Sequence, residues 1–171
     1  MTSQTVEEHH ATAPQNLNLA VLTVSDTRTL ETDTSGALIV ELAEAAGHRV
    51  LERAIVPDEP SRMHPLLQAY HDRGDLHAVL VTGGTGISPR DLTFETVSAL
   101  LTKPLPGYGE LFRMLSYSEI GPAALLSRAV GGLMGALVIL VMPGSRAAVE
   151  LAMSKIILPE LPHIVREARK S

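Results

Sequence analysis

The chain has 171 residues and contains no cysteine. This absence excludes disulfide bonds, zinc sites built on thiolates and catalysis by a cysteine nucleophile. The sequence also lacks an uninterrupted apolar stretch of about 18 residues, so we expect no membrane-spanning helix. Residues 1–16 contain neither the basic segment nor the apolar run of a secretory signal. The lack of a secretory signal and of a membrane span predicts a cytoplasmic protein, whereas the lack of cysteine does not by itself assign a compartment.

A surplus of positive charge is missing as well. The chain has 14 lysines and arginines against 19 aspartates and glutamates, which gives a net charge of −5. The basic residues are scattered, so we expect neither a nucleic-acid partner nor a general attraction to acidic membranes. Hydrophobic residues make up 45% of the chain, a share typical of globular proteins. We therefore predict a flexible polar tail over residues 1–16 and one domain over residues 17–171.

What the sequence does contain is a series of apolar segments that read as buried strands. They cover residues 17–24, 49–56 and 77–82, and an amphipathic segment follows each of them. Successive strand–helix units imply an α/β fold with parallel strands and right-handed crossovers. The most apolar segment, residues 137–142, predicts a further strand, after which Ser145 is placed to cap a helix.

The helices between these strands are predicted from apolar spacing and from their expected ends. In the second helix, Pro65 suits only the first turn. Thr93 is expected to cap the third helix. Residues 103–128 interrupt the regular alternation with several prolines and glycines, and there we expect only a short helix around residues 110–115.

An aspartate follows each of the first three predicted strands. Asp26 comes after the first strand, Asp58 after the second, and Asp91 shortly after the third. Parallel strands end at one edge of the sheet, and open α/β sheets bind their ligands outside that edge. We therefore expect the three carboxylates to lie close together.

A glycine-rich loop follows the third strand and is formed by Thr82, Gly83, Gly84, Thr85 and Gly86. Glycines let the backbone approach a ligand closely, and successive N–H groups can then point at anionic oxygens. The loop matches neither the P-loop nor the dinucleotide-binding fingerprint. It predicts a binding site for a phosphorylated small molecule; the alternative is a tight turn without a ligand.

Two of the aspartates suggest how such a site would tolerate negative charge. Asp58 and Asp91 would repel a phosphate bound at the loop unless a cation intervened. Mg²⁺ is the economical choice, since it binds through one or two carboxylates together with phosphate oxygens. The alternatives are that Asp58 only caps the second helix and that Asp91 only forms a local ion pair with Arg90.

Other polar residues are weaker candidates for contacts to an anion. Those at the strand ends also fit ordinary turns or helix caps, and those in residues 103–128 also fit a subunit contact or a solvated face. They are Ser25, Asp26, Arg28, Arg90, Glu110, Arg113, Ser116, Ser127, Arg128, Pro143, Gly144 and Ser145.

Several segments together resemble the molybdenum-cofactor biosynthesis family of MoaB and MogA proteins, which also includes the G domain of plant and animal cofactor-insertion proteins. The matching segments are LTVSDTR (22–28), IVPDE (55–59), VLVTGGTGISPRDLTFE (79–95), PGYGELFRMLSYSEIGPAALLSRA (106–129) and VMPGSRAAVELA (141–152). They cover most of residues 17–163. The combination of segments is far more specific than a glycine loop alone. Its amino-acid sequence is more similar to the MoaB branch than to MogA.

The resemblance implies a three-layer α/β/α domain with a mostly parallel central sheet, assembled as a homotrimer or sometimes a homohexamer. Members of the MogA type bind molybdopterin and ATP with Mg²⁺. They transfer AMP to the terminal phosphate of molybdopterin and release pyrophosphate, which prepares the pterin for molybdenum insertion. A molybdenum-insertion protein is therefore an expected partner.

Site residues carry over from the same resemblance. Asp58 and Asp91 match the two aspartates that matter for the transfer, and they would be the catalytic and Mg²⁺-binding residues. The glycine loop, Ser88 and the Pro-Gly-Ser turn over residues 143–145 would contact nucleotide and pterin phosphates. Two alternatives remain, namely a protein that binds molybdopterin or its precursor without turnover and a general nucleotide-binding protein.

Overall fold

A computed structural model describes residues 14–170. Most of the predicted tail over residues 1–16 lies outside the described residues. The described part of it, residues 14–16, is exposed and precedes the first strand. Among residues 14–170, no helix combines the length and the apolar character needed to cross a membrane.

The centre of the fold is a six-stranded sheet in the order β2-β1-β3-β6-β5-β4. The strands β2, β1, β3 and β6 are parallel, whereas β5 runs antiparallel to β6 and β4 antiparallel to β5. The bounds of the strands are β1 Asn18–Val24, β2 Arg49–Val56, β3 Ala78–Thr82, β4 Lys103–Pro104, β5 Val130–Met134 and β6 Leu137–Met142. The four parallel strands follow the predicted segments closely.

Helices cover both faces of this sheet, which confirms the three-layer α/β/α architecture. They are α1 Thr34–Ala45, α2 Pro60–Arg73, α3 Thr93–Leu100, α4 Pro106–Ile120, α5 Arg146–Ala152 and α6 Leu158–Ala168. A 3₁₀ turn, Gly121–Leu126, extends α4, and a π-helical turn, Met153–Ile157, joins α5 to α6.

The core is divided by the sheet into two apolar clusters. Along β1, Leu19 and Val21 point into one cluster, while Ala20 and Leu22 point into the other, as the two-residue period of a strand requires. The first cluster packs under α1, α4, α5 and α6, and the second under α2 and α3. Burial on both faces explains why the strand is mostly apolar.

The chain between α3 and β6 is more regular than we expected. The helix expected around residues 110–115 is the 15-residue α4, which begins at Pro106. Proline is favoured in a first helical turn. Gly109 lies inside the helix. A side chain does not fit at this position, because a Cβ would come within 2.5 Å of the carbonyl oxygen of Ala129. Our reading of these glycines as chain breakers was therefore wrong, since Gly109 permits close packing of α4.

Two local expectations for α2 and α3 also need correction. Pro65 lies in the second turn of α2, because the helix begins earlier, at Pro60. Thr93 is the first residue of α3 rather than its cap, and no side chain of the preceding residue caps this helix. The group that takes over the capping belongs to the candidate site.

Candidate functional site

The carboxyl ends of the parallel strands meet the glycine loop, as the topology predicted. Gly83 N donates a hydrogen bond of 3.1 Å to the Met142 carbonyl at the end of β6. The Thr82 hydroxyl donates to the Pro143 carbonyl at 3.2 Å. Gly144 packs on Gly83, where an added Cβ would come within 3.2 Å of Gly83 Cα. The Pro-Gly-Ser turn and the glycine loop are thus neighbours at one edge of the sheet.

Two consecutive positions of the loop require glycine. Gly83 and Gly84 have φ angles of 102° and 63°, which side chains rarely adopt. A Cβ on Gly83 would lie 2.2 Å from the Val24 carbonyl oxygen, and one on Gly84 would lie 2.2 Å from Asp58 Oδ2. The loop is therefore pressed against the end of β1 on one side and against a carboxylate on the other.

Asp58 caps a helix, but not the helix that we had considered. Its Oδ1 accepts hydrogen bonds from Leu92 N at 3.2 Å and from the Thr93 hydroxyl at 3.3 Å, at the start of α3. The start of α2 has Glu59 in the capping position and no side-chain cap. Asp58 is buried, and its Oδ2 has no hydrogen-bond partner within the described chain.

This half-satisfied carboxylate carries a perturbed pKa. Burial raises the pKa of Asp58, the hydrogen bonds from Leu92 and Thr93 oppose that rise, and the charges of Asp91 and Asp26 add to it, so the pKa is raised overall. A free carboxylate oxygen beside a second carboxylate fits a hard divalent cation chemically. No group of three or more metal-ligating side chains occurs in residues 14–170, so phosphate oxygens would have to complete the coordination.

Asp91 folds back towards the glycine loop through a tight turn. Its Oδ2 accepts a hydrogen bond of 3.0 Å from Ser88 N, and Asp91 N donates to the Ser88 carbonyl at 3.0 Å. The same oxygen would lie 2.5 Å from a Cβ on Gly86. The carboxylates of Asp58 and Asp91 therefore both lie against the loop, at Gly84 and at Gly86.

The local ion pair considered for Asp91 is not the one that forms. Arg90 instead donates to both carboxylate oxygens of Asp26, at 2.8 and 2.9 Å, and approaches Glu59 at 3.5 Å. The hydrogen bonds from Arg90 hold the pKa of Asp26 below its usual range. Asp26 Oδ1 also accepts from Asp58 N at 3.1 Å. Asp26 thus ties the ends of β1 and β2 to the segment that carries Asp91.

A small polar cleft of about 130 Å³ opens beside the loop. The cleft brings five of the candidate residues together, namely Ser25, Arg28, Thr82, Gly83 and Gly144. Ser35 lines it too and donates to the Gly144 carbonyl at 2.8 Å. We did not single out Ser35 in the sequence. It lies in the first turn of α1, after the loop that follows β1, and α/β proteins commonly contact ligands at this position.

The remaining strand-end candidates have local partners. The Ser25 hydroxyl accepts from Thr27 N and Arg28 N at 3.3 and 3.2 Å, so it organises a turn. The Arg28 guanidinium donates to the Thr32 carbonyl at 3.2 Å. Ser145 caps α5 by accepting from Ala148 N, as predicted. These contacts fit the turns and caps that we left open and leave a ligand role untested.

The candidates from residues 103–128 lie in different surroundings. Glu110 and Arg113 line a separate, mostly apolar cleft of about 310 Å³ between α3 and α4. Ser116 is buried within α4, and Ser127 N donates to the Ala124 carbonyl at the end of the 3₁₀ turn. In the part of the chain that is described, Arg128 is the member of this group that reaches the glycine loop, where it donates to the Thr85 carbonyl at 3.0 Å.

Known proteins with similar sequences share one family name. The sequence model of a family described as "Probable molybdopterin binding domain" matches residues 20–163. A protein of Halalkalibacterium halodurans named "Molybdenum cofactor biosynthesis protein B" is 52% identical over 166 residues, covering 96% of this chain and 98% of that protein. A Bacillus subtilis protein of the same name is 49% identical over the same shares of both chains.

Solved structures agree with these sequence matches. A crystal structure of a molybdenum cofactor biosynthesis protein B superposes with a TM-score of 0.89 at 51% identity, covering 93% of this chain and 99% of that one. The tungsten cofactor synthesizing protein MoaB of Pyrococcus furiosus gives a TM-score of 0.81 at 35% identity, covering 92% and 100%. The chain therefore belongs to the molybdenum cofactor biosynthesis family that includes the MoaB proteins.

Proposed function

We propose that the protein acts in molybdenum cofactor biosynthesis by adenylylating molybdopterin with Mg-ATP, with release of pyrophosphate. The observation that carries this proposal is the pair of carboxylates at the glycine loop. Asp58 keeps one buried oxygen without a hydrogen-bond partner next to Gly84, and the Asp91 carboxylate lies next to Gly86 of the same loop. An unpaired buried carboxylate is costly to keep, which favours a role in binding a cation together with a phosphorylated ligand.

In the proposed reaction, an oxygen of the terminal phosphate of molybdopterin attacks the α-phosphorus of ATP. A new phosphorus–oxygen bond forms there, the bond from the α-phosphorus to the bridging oxygen breaks, and that oxygen leaves with pyrophosphate. A phosphate is already a competent nucleophile at neutral pH, so this chain needs to supply positioning and electrostatic stabilisation more than a general base.

We assign each residue a role in this reaction. Asp58 and Asp91 would hold Mg²⁺, which when bound would neutralise negative charge on the transferred phosphoryl group. The backbone amides of the glycine loop would bind phosphate oxygens. Hydroxyls and amides nearby would add nucleotide and pterin contacts; we assign this role to Ser25, Thr82, Thr85, Ser88, Gly144 and Ser145, and keep Asp26, Glu110, Ser116, Ser127 and Pro143 as further candidates.

A non-catalytic binding protein of the same pathway is the second candidate function. The observation that favours it is the burial of Asp58 Oδ2, because the glycine loop covers this oxygen at Gly84. A loop that stayed in this position would keep Mg²⁺ away from Asp58 while leaving its amides free to bind a phosphate.

The two functions are separated by incubating the full chain with molybdopterin, ATP and MgCl₂ and analysing the products by mass spectrometry. We expect adenylylated molybdopterin and an equal amount of pyrophosphate. Asp91→Asn should lower the rate by about 10²-fold or more, whereas the exposed Asp75, which pairs with Arg73 before β3, should tolerate the same change. Bound molybdopterin without any AMP transfer would establish the binding protein instead.

We also propose that the protein assembles as a homotrimer, or as a homohexamer built from trimers. The outer face of α4 and the following 3₁₀ turn present large apolar side chains to solvent, and patches of this kind mark interaction sites. The exposed residues are Leu111, Met114, Tyr117, Ile120, Leu125 and Leu126. Light scattering should give three or six times the mass of the 18.3 kDa chain; a monomer mass would contradict the assembly.

The last parts of the proposed role are the cellular compartment and the protein that receives the product. A molybdopterin adenylyltransferase would work in the cytoplasm and pass its product to a molybdenum-insertion protein. Co-purification of adenylylated molybdopterin with such a partner, dependent on added Mg-ATP, is the expected outcome. Equal transfer of unmodified molybdopterin would contradict this order of steps.

A further inference from the structure

Arg128 lies outside the group of residues assigned above, yet its guanidinium holds the glycine loop by its backbone. Nε donates to the Thr85 carbonyl at 3.0 Å. Nη2 donates to the Gly86 carbonyl and, at 3.2 Å, to the Asp91 carbonyl. One side chain thus binds three carbonyl groups of the segment that runs from the loop to α3, more than 35 residues away in the sequence.

The same guanidinium is fixed from its other side by the first turn of α3. Nη1 forms an ion pair with Glu95, and Cζ lies 5.0 Å from the centre of the Phe94 ring. The hydrogen bond from Arg128 lowers the pKa of Glu95, so this carboxylate stays ionised and the pair stays intact. A planar cation stacked on a ring and paired with a carboxylate has little freedom to turn.

Peptide geometry converts these contacts into an orientation of the loop amides. All peptide bonds of the described residues are trans, and in a trans peptide the carbonyl and the N–H of one unit point in opposite directions. Because Arg128 draws the carbonyls of Thr85 and Gly86 to its own side, the N–H groups of Gly86 and Ile87 face the opposite side. Inverted units would instead present carbonyl oxygens to an anion and repel it.

We propose that Arg128 is a positioning residue that sets the loop amides for binding phosphate. The identity of the ligand rests on the proposed function, but the orientation of the amides does not. Each nitrogen of the Arg128 guanidinium donates to a protein acceptor, so Arg128 acts through the loop backbone and not by touching the phosphate. Lysine cannot replace it, because a single ammonium lacks the planar fork that spans three carbonyls and a carboxylate.

The test compares Arg128→Lys with wild type, with Arg49→Lys as the matched control on the exposed start of β2. Calorimetry measures the binding of inorganic pyrophosphate and of ATP, and ¹⁵N spectra of the ligand-free proteins record the amide resonances of the loop. We expect Arg128→Lys to weaken pyrophosphate binding about ten-fold, as for the loss of one or two charge-assisted hydrogen bonds. The Gly86 and Ile87 amide resonances should shift, and Arg49→Lys should change neither readout.

Glu95→Gln supplies a second variant that leaves Arg128 in place and removes only the ion pair. It should weaken pyrophosphate binding in the same direction by a smaller factor and shift the same two resonances less. Wild-type affinity and unmoved resonances in Arg128→Lys would overturn the positioning role. A wild-type protein that binds neither pyrophosphate nor ATP would overturn the proposed function, while the resonances of the ligand-free proteins would still decide the role of Arg128.

Discussion

Two buried aspartates lie near the carboxyl ends of the parallel strands, and their surroundings are opposite in kind. Asp33 is 3% exposed and Asp58 is 5% exposed. Asp33 Oδ1 accepts from Gly36 N at 2.9 Å, at the start of α1, and Oδ2 accepts from the Thr23 hydroxyl at 2.7 Å and from Arg53 at 3.0 Å. Asp58 also caps a helix, but one of its oxygens is unpaired and no arginine or lysine pairs with it among the described residues.

The two environments shift the acidity of these groups in opposite directions. Burial opposes ionisation of Asp33, yet the hydrogen bonds from Gly36 and Thr23 and the charge of Arg53 lower its pKa overall. The pKa of Asp58 is raised, chiefly by burial and also by two neighbouring carboxylates. A buried carboxylate with every acceptor satisfied stabilises the fold, whereas one left half-satisfied among like charges points to a binding role.

The largest effect on stability should come from removing the satisfied carboxylate. Asp33→Ala deletes the cap of α1, the bond to Thr23 and the partner of Arg53. We expect a loss of about 2–3 kcal/mol in the free energy of unfolding, measured in urea. Asp75→Ala, which breaks only an exposed ion pair with Arg73, should cost less than about 0.5 kcal/mol. Equal losses for the two variants would show that Asp33 is no more structural than a surface residue.

This contrast could not be predicted from the sequence. The positions of Asp26, Asp58 and Asp91 after apolar segments were sufficient to predict that these residues lie at one edge of the sheet, because parallel strands bring their carboxyl ends together there. The hydrogen-bond and ion-pair partners of each carboxylate could not be predicted. Asp58 caps a helix that begins 35 residues later, and local spacing carries no signal for such a contact. Asp33 was not among the residues that the sequence singled out.

The prediction of secondary structure failed at glycines that allow close packing and do not form turns. We assigned no element to residues 130–134, which form β5, and glycines such as Gly131 and Gly132 are unusual inside a strand. A Cβ at Gly131 would lie 2.5 Å from the Leu140 side chain, and one at Gly132 would lie 2.6 Å from the Lys103 carbonyl oxygen. These glycines let neighbouring elements approach closely, and only the assembled fold shows which elements those are.

The second prediction concerns the half-satisfied carboxylate. Asp58→Asn keeps an acceptor for Leu92 and Thr93 but removes an unpaired charge. We expect the variant to be about 0.5–1 kcal/mol more stable than wild type at pH 7, while the proposed adenylyl transfer should fall about 10²-fold or more. Asp58→Ala should lose the transfer as well, but without the gain in stability, because α3 is then left uncapped. A less stable Asp58→Asn protein would mean that the charge supports the fold.

The smallest and most discriminating effect is the pH dependence of these stability differences. Because the folded pKa of Asp33 is lowered, its contribution is present above the ordinary value of 3.8 and is lost as the pH falls through the folded pKa. The raised pKa of Asp58 has the opposite consequence. The unfolded chain ionises first as the pH rises, so wild type loses stability between 3.8 and the higher folded pKa.

Urea unfolding of wild type, Asp33→Asn and Asp58→Asn between pH 3 and pH 7 measures both dependences. Asp33→Asn should be less stable than wild type at pH 7 and should approach it as the pH falls. Asp58→Asn should be more stable at pH 7 and should approach wild type from the other side, because protonated Asp58 no longer carries the buried charge. Two differences of the same sign at pH 7 would erase the distinction between the satisfied and the half-satisfied aspartate.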